Sequence, residues 1–412
     1  MFSYRDNDFY CDEVPLADIA TAVGTPAYVY SSETIRSRFD AYEHAFGSLP
    51  HRICYAVKAN SSLAVLSMLA KAGAGFDIVS GGELYRVVRA GGDPSTVVFS
   101  GVGKTRDEVE YALGLGIYSF NCESESELAL IDALAARRGV TARFAIRVNP
   151  DVDATTHPYI STGLSQHKFG LAMEDAADAY ERSRQFRNLT ATGVSCHIGS
   201  QILDTSPILE ALDKVLELAQ TLRERGHPID HLDLGGGLGI PYHCGEPAPS
   251  IEEFVSSIGD RVRASGLALM IEPGRSIVGP AGVLLTRVLY RKKNGPKEFV
   301  VVDAAMNDLI RPALYRAHHE VLPVRKNSLP QITADVVGPV CETGDFLARD
   351  RHMANTMPGD HLAVCTAGAY GFVQASNYNS RPRAPEVLVE GTNFRVVRER
   401  ESLEDLVSGE TV

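Results

Sequence analysis

Between residues 50 and 275 short apolar runs alternate with longer stretches whose apolar positions recur every three or four residues. The short runs lie at 53–57, 76–79, 96–99, 117–120, 143–148, 192–196, 230–234 and 267–271. They lack the polar alternation of a half-exposed strand, so they predict strands covered on both faces, as in a parallel sheet. The longer stretches predict helices: 62–72, closed by Gly73; 105–114, opened by Thr105 with Glu108 at capping-box spacing; 124–137; and 207–225. Eight such alternations predict an α/β fold, a (β/α)8 TIM barrel, with a doubly wound sheet as the competing topology.

Beyond residue 276 the helical periodicity is lost. Val- and Thr-rich runs at 283–289, 298–303, 332–337, 361–366 and 385–397 are separated by Gly, Pro and Asn, which predicts an antiparallel β domain. Residues 26–30, Pro-Ala-Tyr-Val-Tyr, precede the first barrel strand and are expected to complete that domain. The predicted organisation is a barrel over 31–276 and a β domain built from 1–30 and 277–412, and two domains suit a chain of 412 residues. The polar last dozen residues are expected to fray.

Forty Lys and Arg against 52 Asp and Glu leave a net charge of −12. That balance argues against nucleic-acid or anionic-membrane partners and leaves room for a local site that takes a charged small molecule. The seven cysteines (Cys11, Cys54, Cys122, Cys196, Cys244, Cys341 and Cys365) are odd in number and form no C-x-x-C pair. They favour a reducing compartment, the cytoplasm, over a disulfide framework or a structural zinc site. The charged start, Met1 to Asp6, lacks the apolar core of a signal peptide, and no run approaches the length of a membrane span. His318 and His319 are adjacent rather than one helical turn apart, and His243-Cys244 has no partner at ligand spacing, so no metal is expected.

In a TIM barrel the reactive groups sit at the carboxyl ends of the strands. Lys58 follows the first run, Asp77 lies in the second, Arg147 in the fifth, and His197 follows the sixth. Gly235-Gly236-Gly237-Leu238-Gly239 follows the seventh run and Glu272-Pro273-Gly274-Arg275 the eighth. A lone rim lysine most simply reaches into solvent. In this company Lys58 reads as a Schiff-base lysine, whose ammonium is destabilised by partial desolvation. The glycines let backbone N–H groups approach a phosphate, and barrels often bind phosphate after strands seven and eight. Ile240 stands where a dinucleotide fingerprint needs its last glycine, and Val98 where a P-loop ending in Gly103-Lys104-Thr105 needs its first. Glu272 suits the ring nitrogen of an aromatic cofactor. Opposite charges about 4 Å apart attract by roughly 4 kcal/mol at an effective dielectric near 20, about three pKa units. Glu272 could equally form a structural ion pair with an arginine, and Cys341 alone reads as a buried inert thiol.

Taken together, Tyr55–Asn60, His197–Gln201, Gly235–Gly237 and Glu272–Arg275 resemble the diaminopimelate decarboxylases, pyridoxal-phosphate enzymes of the alanine-racemase-like class. Asn307–Tyr315, Cys341–Asp345 and Ser376–Arg383 carry the part of the resemblance specific to diaminopimelate, while Gln166–Gly170 departs from it. The resemblance implies that Lys58 anchors pyridoxal 5′-phosphate covalently, beside Asp77. It implies that His197 stacks on the ring, that Ser200, Gly236, Gly237, Gly274 and Arg275 hold the phosphate, and that Glu272 pairs with the ring nitrogen. Tyr370 then contacts cofactor and substrate, Arg275, Arg311 and Tyr315 hold the distal carboxylate, and Glu342 the distal ammonium. Cys341 protonates the carbanion. The same resemblance implies a homodimer whose sites are shared, Cys341 and Glu342 coming from the partner chain, and decarboxylation of meso-2,6-diaminopimelate to L-lysine. A decarboxylase of the same fold acting on ornithine, arginine or a carrier-bound amino acid is the alternative.

Overall fold

The computed structural model describes residues 1–153, 168–243 and 245–412, so Gln166, His167 and Cys244 lie outside the described residues. The chain divides into two compact units. One comprises Arg38–Ile240 and Pro247–Ser276; the other comprises Met1–Ser37, Pro241–Glu246 and Ile277–Val412.

The first unit is a closed parallel barrel. Its strands are His51–Ala56, Gly75–Ile78, Val97–Phe99, Ser119–Cys122, Ala142–Asn149, Leu189–Cys196, His231–Asp233 and Ala268–Ile271. Each pairs in parallel with the next, and Ala268–Ile271 pairs with His51–Ala56, which closes the ring and excludes the doubly wound alternative. A two-residue strand, Leu171–Ala172, adds beside Val148 and Asn149.

Helices Leu63–Lys71, Arg106–Leu115, Glu125–Arg138 and Ser206–Glu224 stand within a residue of their predicted places. The Thr105 hydroxyl accepts from the Glu108 N–H and the Glu108 carboxylate from the Thr105 N–H. Ser250 and Glu253 form the same box at the helix Ile251–Ser265, and the hydroxyls of Ser80 and Ser124 accept from the Glu83 and Glu127 N–H groups at the helices Gly81–Arg89 and Glu125–Arg138. Satisfying the first free N–H groups at these points fixes where the chain leaves each strand, and so where the rim loops begin.

The strand interiors are apolar, with Phe76, Phe99, Phe120 and Phe144 all buried. Near their carboxyl ends the pattern changes. Asp77, Asn121, Arg147, Ser195 and Asp233 stand buried on the second, fourth, fifth, sixth and seventh strands, with Ser100 and Glu272 just past the third and eighth. Arg147 pairs in register with Ser195, and Ser195 with Asp233. An apolar barrel thus ends in a polar layer.

In the second unit the long strand Gly282–Asn294 pairs antiparallel with Ala27–Ser31, Lys297–Val302 and His361–Val364. The N-terminal segment therefore does complete this sheet. The sheet is mixed rather than wholly antiparallel, because Ala27–Ser31 runs parallel to Glu386–Glu390, and Lys297–Val302 to Ile332–Val337. Both pairs join strands linked by long connections, which leave the direction free in a way a hairpin does not. Phe2–Arg5, Asp8–Cys11 and Val14–Pro15 form a further small sheet with no strong apolar run to announce it. The core joins Val29, Val283, Leu285 and Val387 to Phe9, Leu16 and Ile19. The last dozen residues, expected to fray, hold one helical turn, Leu403–Leu406, closed by a Ser402–Asp405 capping box. No described helix is long and apolar enough to cross a membrane.

Candidate active site

Lys58 stands in the single 3-10 turn Val57–Ala59 that follows the first barrel strand. Its Nζ lies 2.5 Å from Asp77 Oδ2. The lysine side chain is 37% exposed and that of Asp77 0%, so the ammonium faces a cavity while its counter-charge is sealed behind it. The second oxygen, Asp77 Oδ1, is buried without a hydrogen-bond partner among the described residues. The cavity holds about 420 Å³ and is lined by Lys58, Arg147, Phe169, Ser195, His197 and Glu272 among others.

Glu272 and Asp233 converge on one amide. Asn121 Nδ2 donates to Asp233 Oδ2 at 2.8 Å and to Glu272 Oε1 at 3.3 Å. Ser100 Oγ donates to Glu272 Oε1 at 3.3 Å, and the Gly235 N–H to Asp233 Oδ1 at 2.9 Å. Through Asn121 the two carboxyls are held close enough for the charge of one to act on the other. Burial, and then the like charges of Asp233 and Asp77, push the Glu272 carboxyl well above the usual carboxylate range; burial raises Asp233 too. Among the described residues the hydrogen-bond partners of Glu272 are thus Ser100 and Asn121, not the arginine of a structural ion pair.

His197 is held neutral. Burial first, then the charges of Arg147 and Lys58, lower its imidazole well below the ordinary value. The Gly236 N–H donates to His197 Nδ1 at 3.2 Å, so that nitrogen carries the lone pair. Arg147, placed in this wall by the fifth strand, pairs with Glu123 at 3.1 Å and lies over the Phe169 ring at 4.7 Å.

The phosphate candidates form a tightly packed rim. A Cβ on Gly236 would lie 2.3 Å from the Glu272 carbonyl oxygen, and one on Gly237, whose φ is +113°, 2.6 Å from the Gly199 carbonyl oxygen. Only glycine permits this approach. Arg275 Nη2 donates to Ser200 Oγ at 2.9 Å, joining two of the candidates directly. A glycine cradle, a half-exposed lysine on a sealed carboxylate, and a second buried carboxyl on the same cavity fit pyridoxal 5′-phosphate: an anion, an aldehyde and a basic ring nitrogen. The sequence reading passed over Ser100, Asn121, Ser195 and Asp233. The last two lie within runs read only as apolar, Asn121 one residue past its run; Asp233, two residues before the glycines and on the inward alternation, was the one signal available.

In the second unit Arg311 begins the helix Arg311–Tyr315 and is buried. Tyr315 Oη lies 3.5 Å from Gln374 Nε2, and Tyr370 is half-buried with φ +56°. Cys341 is exposed rather than the buried thiol its type suggests; its N–H donates to Asn379 Oδ1 at 2.8 Å. The neighbouring Glu342 is exposed and accepts from Tyr378 Oη at 3.3 Å. The segment is shaped from behind by Asp345, whose oxygens accept from the Met306 and Val340 N–H groups, each at 2.7 Å. His243, which had no partner in sequence, has its ring 3.6 Å from that of His318, close to Glu320. Arg351 Nη2 donates into His318 Nδ1, a contact that leaves the ring's proton on Nε2, facing Glu320 at 3.2 Å. A metal ligand would need that lone pair open and an acceptor behind it.

Residues 32–279 match the family "pyridoxal-dependent decarboxylase, pyridoxal binding domain". The chain is 53% identical to the diaminopimelate decarboxylase of Pseudomonas aeruginosa over 411 residues, covering 100% of this chain and 99% of that one. Among solved structures it is similar to the diaminopimelate decarboxylase of Helicobacter pylori complexed with L-lysine, at 43% identity, covering 95% of this chain and 98% of that one, with a TM-score of 0.92. It is also similar to that of M. jannaschii in co-complex with L-lysine, at 37% identity, covering 100% and 98%, with a TM-score of 0.95. The lysine-bearing barrel, its glycine cradle and these full-length likenesses lead to one conclusion: the chain belongs to the diaminopimelate decarboxylases, carboxy-lyases that depend on pyridoxal 5′-phosphate.

Proposed function

We propose that this chain decarboxylates meso-2,6-diaminopimelate to L-lysine and carbon dioxide, the last step of lysine biosynthesis, in the cytoplasm. The observation that carries the reading is that Lys58 Nζ and the Glu272 carboxyl line one cavity, with Asp77 sealed behind the lysine. Bound there, pyridoxal phosphate supplies a ring that accepts the electron pair released when the Cα–carboxylate bond breaks.

The chain's own residues prepare that event. Lys58 would hold the cofactor covalently through Nζ, with the Asp77 carboxylate in contact with that nitrogen. Glu272, favoured in its acid form by burial and by Asp233, would supply and keep the proton of the ring nitrogen. A neutral His197 would pack on the ring without adding a competing positive charge. Gly236, Gly237, Ser200 and the Gly274–Arg275 turn would take the phosphate through N–H and O–H donors.

Recognition of the distal end falls to opposite charges. Arg275, Arg311 and Tyr315 would bind its carboxylate, Glu342 its ammonium, and Tyr370 would touch both cofactor and substrate. Cys341 Sγ–H would give its proton to the substrate carbon once carbon dioxide has left. We assign Cys341 and Glu342 to the site of a partner chain in a homodimer, a reading that their exposure in the single chain supports. The test is purified holoenzyme given meso-diaminopimelate, ornithine, arginine and lysine in parallel. Lysine and carbon dioxide should form from diaminopimelate alone; preferred turnover of any other amino acid would overturn the assignment.

A further inference from the structure

His319 is 0% exposed, takes no part in the chemistry above, and follows Arg311 by eight residues. Arg316, with φ +53°, ends the helix Arg311–Tyr315 in a left-handed turn. The chain then doubles back, and Arg311 Nη1 comes within 2.8 Å of His319 Nε2. On the other side of the ring, His319 Nδ1 lies 2.8 Å from the Cys365 carbonyl oxygen.

These two contacts determine the proton positions without ambiguity. A carbonyl only accepts, so Nδ1 carries the hydrogen; a guanidinium only donates, so Nε2 carries the lone pair. Both require the same neutral tautomer. A second ring proton would point straight at the guanidinium. The backbone is clamped as well: Arg351 Nη1 donates to the His319 carbonyl at 2.7 Å, and the Cys365 N–H to the Glu320 carbonyl at 2.8 Å. Tyr242 closes the arrangement, its ring edge-on to His319 at 5.3 Å and beneath the Arg311 guanidinium at 4.7 Å.

A carboxylate in the place of His319 would orient Arg311 but cancel its charge. Neutral imidazole orients the guanidinium without itself cancelling its charge. We infer that His319 is the positioning residue for Arg311, fixing the guanidinium that receives the distal carboxylate of the substrate. The inference rests on the role proposed for Arg311 above and adds the residue that makes that role possible.

Two substitutions separate positioning from packing. In His319→Asn the amide nitrogen can replace Nδ1 and keep the Cys365 contact, while the acceptor for Arg311 is lost. In His319→Gln the amide oxygen can replace Nε2 and keep Arg311. With holoenzyme, His319→Asn should raise KM for meso-diaminopimelate roughly tenfold with kcat within about twofold, and His319→Gln should recover most of the loss. Inhibition should divide the same way. L-Lysine, which carries the distal carboxylate, should bind His319→Asn roughly tenfold more weakly, whereas 1,5-diaminopentane, which lacks it, should bind as to the parent enzyme. Equal losses in both variants, or for both inhibitors, would mean a packing role and overturn the inference. So would an unchanged KM in His319→Asn while Arg311→Gln raises it. An unchanged KM in Arg311→Gln itself would instead remove the underlying role of Arg311.

Discussion

The two units present their chemistry in opposite ways. In the barrel the candidate groups are buried or half-buried and already engaged: Lys58 on Asp77, Glu272 on Ser100 and Asn121, His197 on the Gly236 N–H. In the β unit Cys341 and Glu342 lie exposed on a shaped but uncovered loop. Burial shifts the protonation of Glu272 and His197, which is what cofactor chemistry uses. An exposed thiol and carboxylate gain comparable leverage only once another surface excludes water from them. The contrast supports a site that one chain begins and a second completes.

The largest test of that division acts on the barrel side. Lys58→Ala should abolish decarboxylation, a loss of roughly 10³-fold or more. It should also remove the visible absorbance of the bound cofactor, and borohydride should no longer label the peptide around residue 58. Labelling at another lysine would break the assignment at its base.

Next comes the exposed loop. Cys341→Ala should bind cofactor normally but turn over roughly 10²- to 10⁴-fold more slowly, the usual scale for a lost general acid. Mixing Lys58→Ala and Cys341→Ala chains sharpens the comparison. In a two-fold dimer with shared sites about half of the randomly paired molecules are mixed, and each holds one intact site of two, so activity should return to about a quarter of the parent value. No recovery would place Cys341 in the site of its own chain.

Glu272→Gln is expected to cost less, roughly 10²-fold in turnover with cofactor still bound, because the ring nitrogen loses its acid partner while the anchor remains. Turnover within a few-fold of the parent enzyme would mean that the Asp233–Glu272 pair serves only to fill the barrel end.

The different visibility of the two units in the sequence has the same origin. Barrel strands covered on both faces read as unbroken apolar runs, and the residues that close those runs are the rim residues, so Lys58, His197, Gly235–Gly239 and Glu272 stood out by position. Asn121 and Asp233 did not, because one polar residue inside or beside an apolar strand shows no periodicity of its own; only closure of the ring brings Asn121 onto both Asp233 and Glu272. In the β unit the roles came from resemblance, since the Arg311–His319 contact depends on a left-handed turn at Arg316, a residue type with no preference for it. Pairing direction in the mixed sheet was hidden for a similar reason, being set by long connections rather than by the strands themselves.

The smallest effect turns the comparison into a pH experiment on stability. Burial alone would raise the Glu401 carboxyl, but Arg383, through its side chain and its N–H, and Asn377 outweigh it and hold the group at about 2. The Arg383 Nε and Asn377 Nδ2 contacts are 2.6 and 2.7 Å. Between its ordinary value of 4.5 and about 2 the unfolded chain binds more protons at this group than the folded one. Its stabilisation is therefore complete above that range and lost as pH falls through it. Glu401→Gln should lower stability by about 1 kcal/mol at neutral pH, as expected for a partly exposed pair, and the gap between the two proteins should close as pH approaches 2. Glu272 runs the other way. Its raised carboxyl favours the fold most at low pH and loses that contribution as pH rises beyond the usual carboxylate range, so Glu272→Gln should become relatively more stable in the cofactor-free protein as pH increases. Denaturant midpoints of both variants across pH would show opposite slopes. Parallel slopes would mean that the two units do not treat their carboxyls differently after all.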